Sequence, residues 1–410
     1  MNQVPSLSRN ARAMAAGYVL TPLEETPFHP RLAELNVNND WYAWSGYKAP
    51  NTIADEELEY FAIRSTAALF DISPMTKYRI VGPGAEAFLN RLTVRDVRKL
   101  AVGRVHYTCW CDDLGHVLDD GTLFRLGDNE FRLCSQERHL PWLLDSAEGF
   151  DVSITEETAE IAGLALQGPV SCTVLKDAGF AGVENLKPFQ LAEFLHEGGR
   201  VTISRTGFTG DLGYELFCPR AAALSLWDRL MAVAEKNRMR VIGYAALNHA
   251  RIEAGFIVAN ADFVTAETAL REDRLRLPDE IGLDWMVDLE KPNFNGRNAI
   301  VRAREKGTLR HILVGLEIEG NVAGPLSLIY HRKKREVGIV TASAWSPMLK
   351  KNIAIASLSR PYGAKITDDL WVEIYALREL SYQKLMKRVR IVERPFLKLG
   401  RRSATPPGAF

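Results

Sequence analysis

Residues Arg200–Arg238 read RVTISRTGFTGDLGYELFCPRAAALSLWDRLMAVAEKNR, and this stretch decides the fold. RVTISRT and LGYELFCP are short runs rich in β-branched and aromatic residues, set on either side of a Gly207–Gly213 turn, so they read as a hairpin. AAALSLWDRLMAVAEKNR behind them carries apolar residues at helical spacing and reads as an amphipathic helix. Gly207, Gly210 and Gly213 lie between two strands. A dinucleotide-binding loop needs a helix directly after its glycines, so this one is not expected to hold a nucleotide.

The same mixture continues outward. IAGLALQGP, ending at Pro169, opens this unit as strand then helix. Earlier, Asp55–Phe70 (DEELEYFAIRSTAALF) starts acidic and turns apolar at helical spacing, predicting a helix. TKYRIV (Thr76–Val81) predicts a strand, and AEAFLNRLTV after Gly82-Pro83-Gly84 a second helix. RVHYTCWC and GHVLDDGTLFRL, separated by Asp112-Asp113, predict another hairpin, followed by strand EFRLCS and a helix over 140–147. The expected class is α+β, with two halves at about 21–150 and 151–277 and a connector at 278–307. From His311 the texture changes to short strands (ILVGLEIEG, EVGIVTAS, IAIASLS, LWVEIYAL, KRVRIVER), predicting a small β-barrel over 308–396. Residues 1–20 read as a flexible leader and 397–410 as a tail.

Charge and composition narrow the function. Lys+Arg and Asp+Glu both number 51, which argues against a generic polyanion binder. The balance is uneven: between Trp371 and Phe410 nine basic residues stand against three acidic ones. HRKKRE and this basic end carry no interleaved aromatic motif, so nucleic acid is not an expected partner. No apolar run approaches the roughly 18 residues of a membrane span. Five cysteines without framework spacing, and a start without an apolar signal core, suggest a cytoplasmic protein with reduced thiols.

The sequence lacks a phosphate loop, an HExxH helix and a GxSxG elbow. Cys109-Trp-Cys111 has no second pair at zinc spacing, so no metal is expected. Two acidic positions stand out. In VLDDGTLF a strand would put Asp119 and Asp120 on opposite faces, so one carboxylate must point inward. A buried carboxylate is unfavourable unless paired or functional, although Asp-Asp-Gly also suits a hairpin turn. Glu215, in GYELF, has the same character and could equally pair with a neighbouring Arg.

An ordered set of motifs then matches a known family. TPL at Thr21, AIRSTAALFDISPM ending at Met75, GHVLDDG at Gly115–Gly121 and LALQGP at Leu164–Pro169 come first. TGFTGDLGYEL at Thr206–Leu216, RIEAG at Arg251–Gly255, GLDW at Gly282–Trp285 and FNGRNAI at Phe294–Ile300 follow. VGIVTASAWSP at Val337–Pro347 and IAIA at Ile353–Ala356 complete it. The chain resembles the T-protein of the glycine cleavage system and its folate-dependent aminomethyltransferase and demethylase relatives, from about Thr21 to Phe396. The resemblance implies a three-domain cloverleaf around a central channel for tetrahydrofolate.

The resemblance also assigns residues. Asp119 aligns with the catalytic Asp beside the reactive edge of the folate, and Glu215 with the Glu that holds the pterin. Tyr107, Met75, Phe208 and Trp285 align with channel-lining positions. Arg251 could meet the glutamyl carboxylate of the folate or pair with Glu253. The chain departs from the glycine-cleavage pattern at Pro74, where that subfamily usually has His, and at Leu247-Asn248, where it usually has Arg-Asp. Extra residues also stand between Arg251 and Trp285. The implied activity is transfer of a methyl or aminomethyl group from a small N-, S- or O-methylated compound to tetrahydrofolate. One alternative is a glycine-cleavage aminomethyltransferase served by a lipoyl carrier protein, and another is a non-catalytic folate-binding assembly protein. The assembly relatives carry a Lys-Gly-Cys motif after the second half, and here no Cys follows Cys218.

Overall fold

The computed structural model describes residues 22–197, 199–404 and 406, so the expected leader lies outside the described residues. The fold is mixed α+β with a closed six-stranded barrel near its C-terminal end. Besides the barrel there is a five-stranded sheet, a six-stranded sheet and a small three-stranded sheet. Among the described residues no helix is long and apolar enough to cross a membrane.

The RVTISRT/LGYELFCP hairpin forms as Gly199–Ser204 paired with Gly213–Pro219, Ser204 opposite Glu215. The turn glycines are explained by close approach: a Cβ on Gly207 or Gly213 would lie 2.0 or 2.2 Å from the Gln167 Oε1. No side chain fits there. The helix behind it, Ala223–Met231, buries Leu226, Trp227 and Leu230, and is shorter than the periodicity suggested. Residues 232–238 continue as turns instead.

The six-stranded sheet does not respect a division at residue 150. Ala67–Asp71, from early in the chain, lies inside it, between Ile161–Gln167 and the edge strand Met239–Val241. The helix expected over 55–70 therefore ends at Ser65, and Ala67–Asp71 is a strand buried at every position. A short run buried on both faces shows no alternation, which is why it reads equally as helix. The five-stranded sheet takes Thr76–Val81, Arg104–Cys111, Val117–Gly127, Glu130–Ser135 and Ser153–Glu156.

The barrel runs from His311 to Val392 and includes Leu328–His331, a strand too short to stand out in the sequence. The segment 278–307, expected as a connector, is fastened to its neighbours. Lys291 donates to the Arg95 carbonyl at 3.0 Å, and Glu280 accepts from the backbone of Arg310 and His311 at 2.7 and 2.9 Å. The expected tail is likewise docked through Ala404. Leu397 N–H donates to the Glu253 carbonyl at 2.9 Å, and Arg401 is ion-paired with Asp211.

Candidate active site

Between the two larger sheets, the segment around Phe256 and the docked C-terminal segment lies a cavity of about 1210 Å³. Its catalytic candidates come from two strands. Val117–Gly127 pairs antiparallel with Arg104–Cys111, placing Trp110 opposite Asp119 and Cys109 opposite Asp120. The alternation that sends one carboxylate inward operates, but it sends Asp120 to the cavity.

Asp119 faces the other way, fully buried. One of its oxygens accepts the Asp120 N–H at 2.8 Å, and the other accepts the Glu137 N–H at 3.0 Å and lies 3.1 Å from the His139 Nε2. Its carboxylate is saturated and does not line the cavity, so the expectation that Asp119 meets the reacting group does not match its position. Asp120 does line it, with the Tyr107 hydroxyl donating to Oδ2 at 2.6 Å. Burial, and then the charge of Asp119, push the Asp120 carboxyl up to about 8. The same burial and the Asp120 carboxylate raise the Tyr107 hydroxyl well above its ordinary value.

The opposite wall supplies Glu215, on Gly213–Pro219. Thr206 Oγ1 donates to its Oε2 at 2.6 Å, and among the described residues the other oxygen has no partner. Burial raises this carboxyl too, with Thr206 opposing. Phe208, in the glycine turn, stacks on Phe256 with ring centres 5.4 Å apart, and the Arg402 guanidinium lies 5.1 Å from the Phe256 ring. Trp285 is 61% exposed, 6.3 Å from Tyr107 and 5.6 Å from the Arg95 guanidinium, so it sits where the cavity meets solvent. Met75 lines the cavity as well, and its carbonyl accepts from Lys77 at 2.7 Å.

Arg251 is elsewhere. It is buried, donates to Asn248 Oδ1 at 2.8 Å and to the Phe256 carbonyl at 2.9 Å, and is ion-paired with Asp262. It does not line the cavity, and its expected partner Glu253 is bound by Arg64 instead. Arg251 supports the wall that carries Phe256.

Sequence reading missed one arm of the cavity. Tyr42 packs on Tyr244 with centres 4.8 Å apart, and Trp44 stacks on Phe70 at 6.2 Å. Leu247 lines the same cavity one helical turn after Tyr244. The signal was present: DWYAW, a Ser45-Gly46 turn and YKAPNT form a hairpin, Asp40–Trp44 with Tyr47–Thr52. Tyr42 and Trp44, two apart, share a face of its first strand.

Comparison with known proteins places the chain in a family. The family model for the GCVT N-terminal domain matches residues 31–291, and that for the glycine cleavage T-protein C-terminal barrel domain matches 312–398. The chain belongs to the glycine cleavage T-protein family. An aminomethyltransferase of Geobacillus kaustophilus is 32% identical over 319 residues, 76% of this chain and 85% of that protein. A trimethylamine-oxide aldolase of Ruegeria pomeroyi is 34% identical over 348 residues, 81% of this chain. The chain spans only 42% of that aldolase's length. The solved structure of glycine cleavage system aminomethyltransferase T from Bartonella henselae superposes with a TM-score of 0.79 at 26% identity, covering 92% of this chain and 98% of that one.

Proposed function

We propose that this protein is a tetrahydrofolate-dependent one-carbon transferase that takes a methyl or aminomethyl group from a small N-, S- or O-methylated compound. The observation that carries this reading is the convergence of Asp120 and Glu215 on one aromatic-walled cavity. Small-molecule pockets usually measure about 300–1,000 Å³, so about 1210 Å³ leaves room for a cofactor and a second small molecule.

The residues present fit a folate. Glu215 has one open carboxylate oxygen and a spare lone pair on the Thr206-bound one, so its two oxygens suit two parallel N–H groups such as those of a pterin. The stacked Phe208 and Phe256 offer a flat apolar wall, and Arg402 and Arg95 supply positive charge for an acidic tail. When bound, tetrahydrofolate supplies the nitrogen that accepts the one-carbon unit. Asp120 then has the acid–base work: a carboxyl near 8 holds a proton at neutral pH and gives or takes it at small cost. Tyr107 orients its Oδ2, and in the ionised form the group favours positive charge building on the donor. The arm of Tyr42, Trp44, Phe70, Tyr244 and Leu247 excludes water and offers ring faces to methyl groups, cationic ones above all. Leu247 at the cavity wall, where the glycine-cleavage pattern has Arg, favours a small donor over an aminomethyl-lipoyl carrier.

The test is folate-dependent turnover with a panel of methylated amines, sulfonium compounds and aryl methyl ethers, run beside an aminomethylated lipoyl carrier. Turnover of a small donor that requires tetrahydrofolate is expected. Turnover of the carrier alone would move the assignment to the glycine-cleavage reaction, and tetrahydrofolate failing to bind would refute both.

A further inference from the structure

Behind Asp120, on the far face of its strand, lies a buried cluster that the reaction above does not use. His139 precedes the helix Leu140–Ser146 and is 1% exposed. Its Nε2 is 3.1 Å from Asp119 Oδ2 and its Nδ1 2.7 Å from Glu267 Oε2. Its backbone N–H donates to the Tyr78 hydroxyl at 2.7 Å, and its ring meets Trp110 edge to face at 5.8 Å. Glu267 is half exposed, and its segment is pinned to the strand by Ala266 N–H donating to the Val117 carbonyl at 2.9 Å.

We propose that His139 is a positioning residue for the one-carbon transfer: clamped between Asp119 and half-exposed Glu267, it balances the Asp119 charge directly behind Asp120 and so sets how readily Asp120 exchanges its proton. The inference rests on Asp120 being the reacting carboxyl.

Asp119 touches Asp120 through its backbone N–H, so no proton passes between the two carboxyls by this contact. The coupling is electrostatic. Burial opposes a charge on His139, but the hydrogen bonds and charges of Asp119 and Glu267 outweigh it, and its pKa is raised. An imidazolium there offsets the Asp119 charge that holds the Asp120 proton on. The other groups facing this pair are Tyr107 on Asp120, Cys109 beside Tyr107, and Asp262, which also raises Asp120 but is neutralised by Arg251. Tyr78 and Trp110 face His139 as neutral groups. Glu137, at the cavity wall, is held by Asn260 at 3.1 Å. Through half-exposed Glu267, the buried His139–Asp119 pair is in touch with solvent on the side away from the cavity, and its charge can vary the field on Asp120.

The test reads the Asp120 carboxyl directly, as the infrared band lost in Asp120→Asn, through a pH titration of the wild type, His139→Gln and Glu267→Gln. Gln keeps a donor to Asp119 and removes the charge. His139→Gln is expected to move the Asp120 midpoint upward by about one unit, with a parallel shift in the kcat profile and little change in KM for the donor. Glu267→Gln weakens the imidazolium and should move it the same way by less. Midpoints unchanged, or moved downward, would make His139 a purely structural residue and overturn the proposal. If His139→Gln fails to fold, the half-exposed Glu267→Gln decides by the same criterion. Failure of the underlying reading looks different: Asp120→Asn would retain turnover, whatever the band does.

Discussion

Two of the buried acidic clusters among the described residues are built to opposite rules. In the first, Glu253 accepts from the Tyr60 hydroxyl, from Arg64 Nε and Nη2, and from the Ser346 hydroxyl of the barrel. Arg64 also meets Asp211, which Arg401 of the docked C-terminal segment pairs in turn. Every charge there is answered, and the cluster ties body, barrel and C-terminal segment together. In the second, Asp120 and Glu215 each take one hydroxyl donor, from Tyr107 and Thr206, and both carboxyls are raised by burial. The lesson is that saturation marks a carboxylate that holds structure, whereas under-partnering beside a cavity marks one kept for chemistry. Asp119 and Asp120 repeat the contrast within two consecutive residues.

The largest expected effect tests the saturated side. Glu253→Ala leaves Arg64 buried without its main partner and should lower unfolding free energy by about 3–5 kcal/mol. Denaturant titration measures it, and folate affinity of the protein still folded should stay near wild type. A variant as stable as wild type would break the contrast.

Asp120→Asn comes next, expected to reduce turnover by about 10²–10³ with the melting temperature at pH 7 kept or raised. Asp119→Asn should do the reverse. It disturbs a site with three donors and should cost about 1–3 kcal/mol of stability, with its turnover loss smaller than that of Asp120→Asn. Steady-state kinetics beside thermal melts separate the two, and equal kinetic losses would erase the distinction drawn between them. Glu215→Ala should then weaken tetrahydrofolate binding by about 1.5–3 kcal/mol, read by calorimetric titration. Unchanged affinity would remove Glu215 from the cofactor site.

A further test of the under-partnered side is the pH dependence of stability. The folded carboxyl of Asp120 is held at about 8, above its unfolded value of about 3.9. Its folded form therefore binds the proton more tightly, and that contribution is full below the unfolded pKa and lost as pH rises through about 8. Wild type minus Asp120→Asn should show stability falling between those limits. Turnover that needs the ionised carboxyl should rise over the upper part of the same range. A flat difference curve would mean that Asp120 is not raised.

The α+β texture, the barrel after residue 308 and the ordered motifs of the T-protein family were legible in the sequence, because periodicity and turn chemistry are local. Alternation also required one of Asp119 and Asp120 to face inward, and Glu215, Tyr107, Met75, Phe208 and Trp285 line one cavity. Which Asp of the pair meets the cavity was not legible. Strand period fixes only that neighbours point apart, and the assignment depends on which face the Gln136–His139 loop covers. The partners of Arg251 and Glu253 were likewise decided by packing. Asp262 is 11 residues from Arg251, and Arg64 is 189 residues from Glu253, separations at which spacing carries no signal. Ala67–Asp71 became an interior strand because two distant segments of the second half, Ile161–Gln167 and Met239–Val241, close on either side of it. Local chemistry determined what the segments are, and the tertiary structure decided which carboxylates were left with room to react, since only packing sets how many donors reach each one.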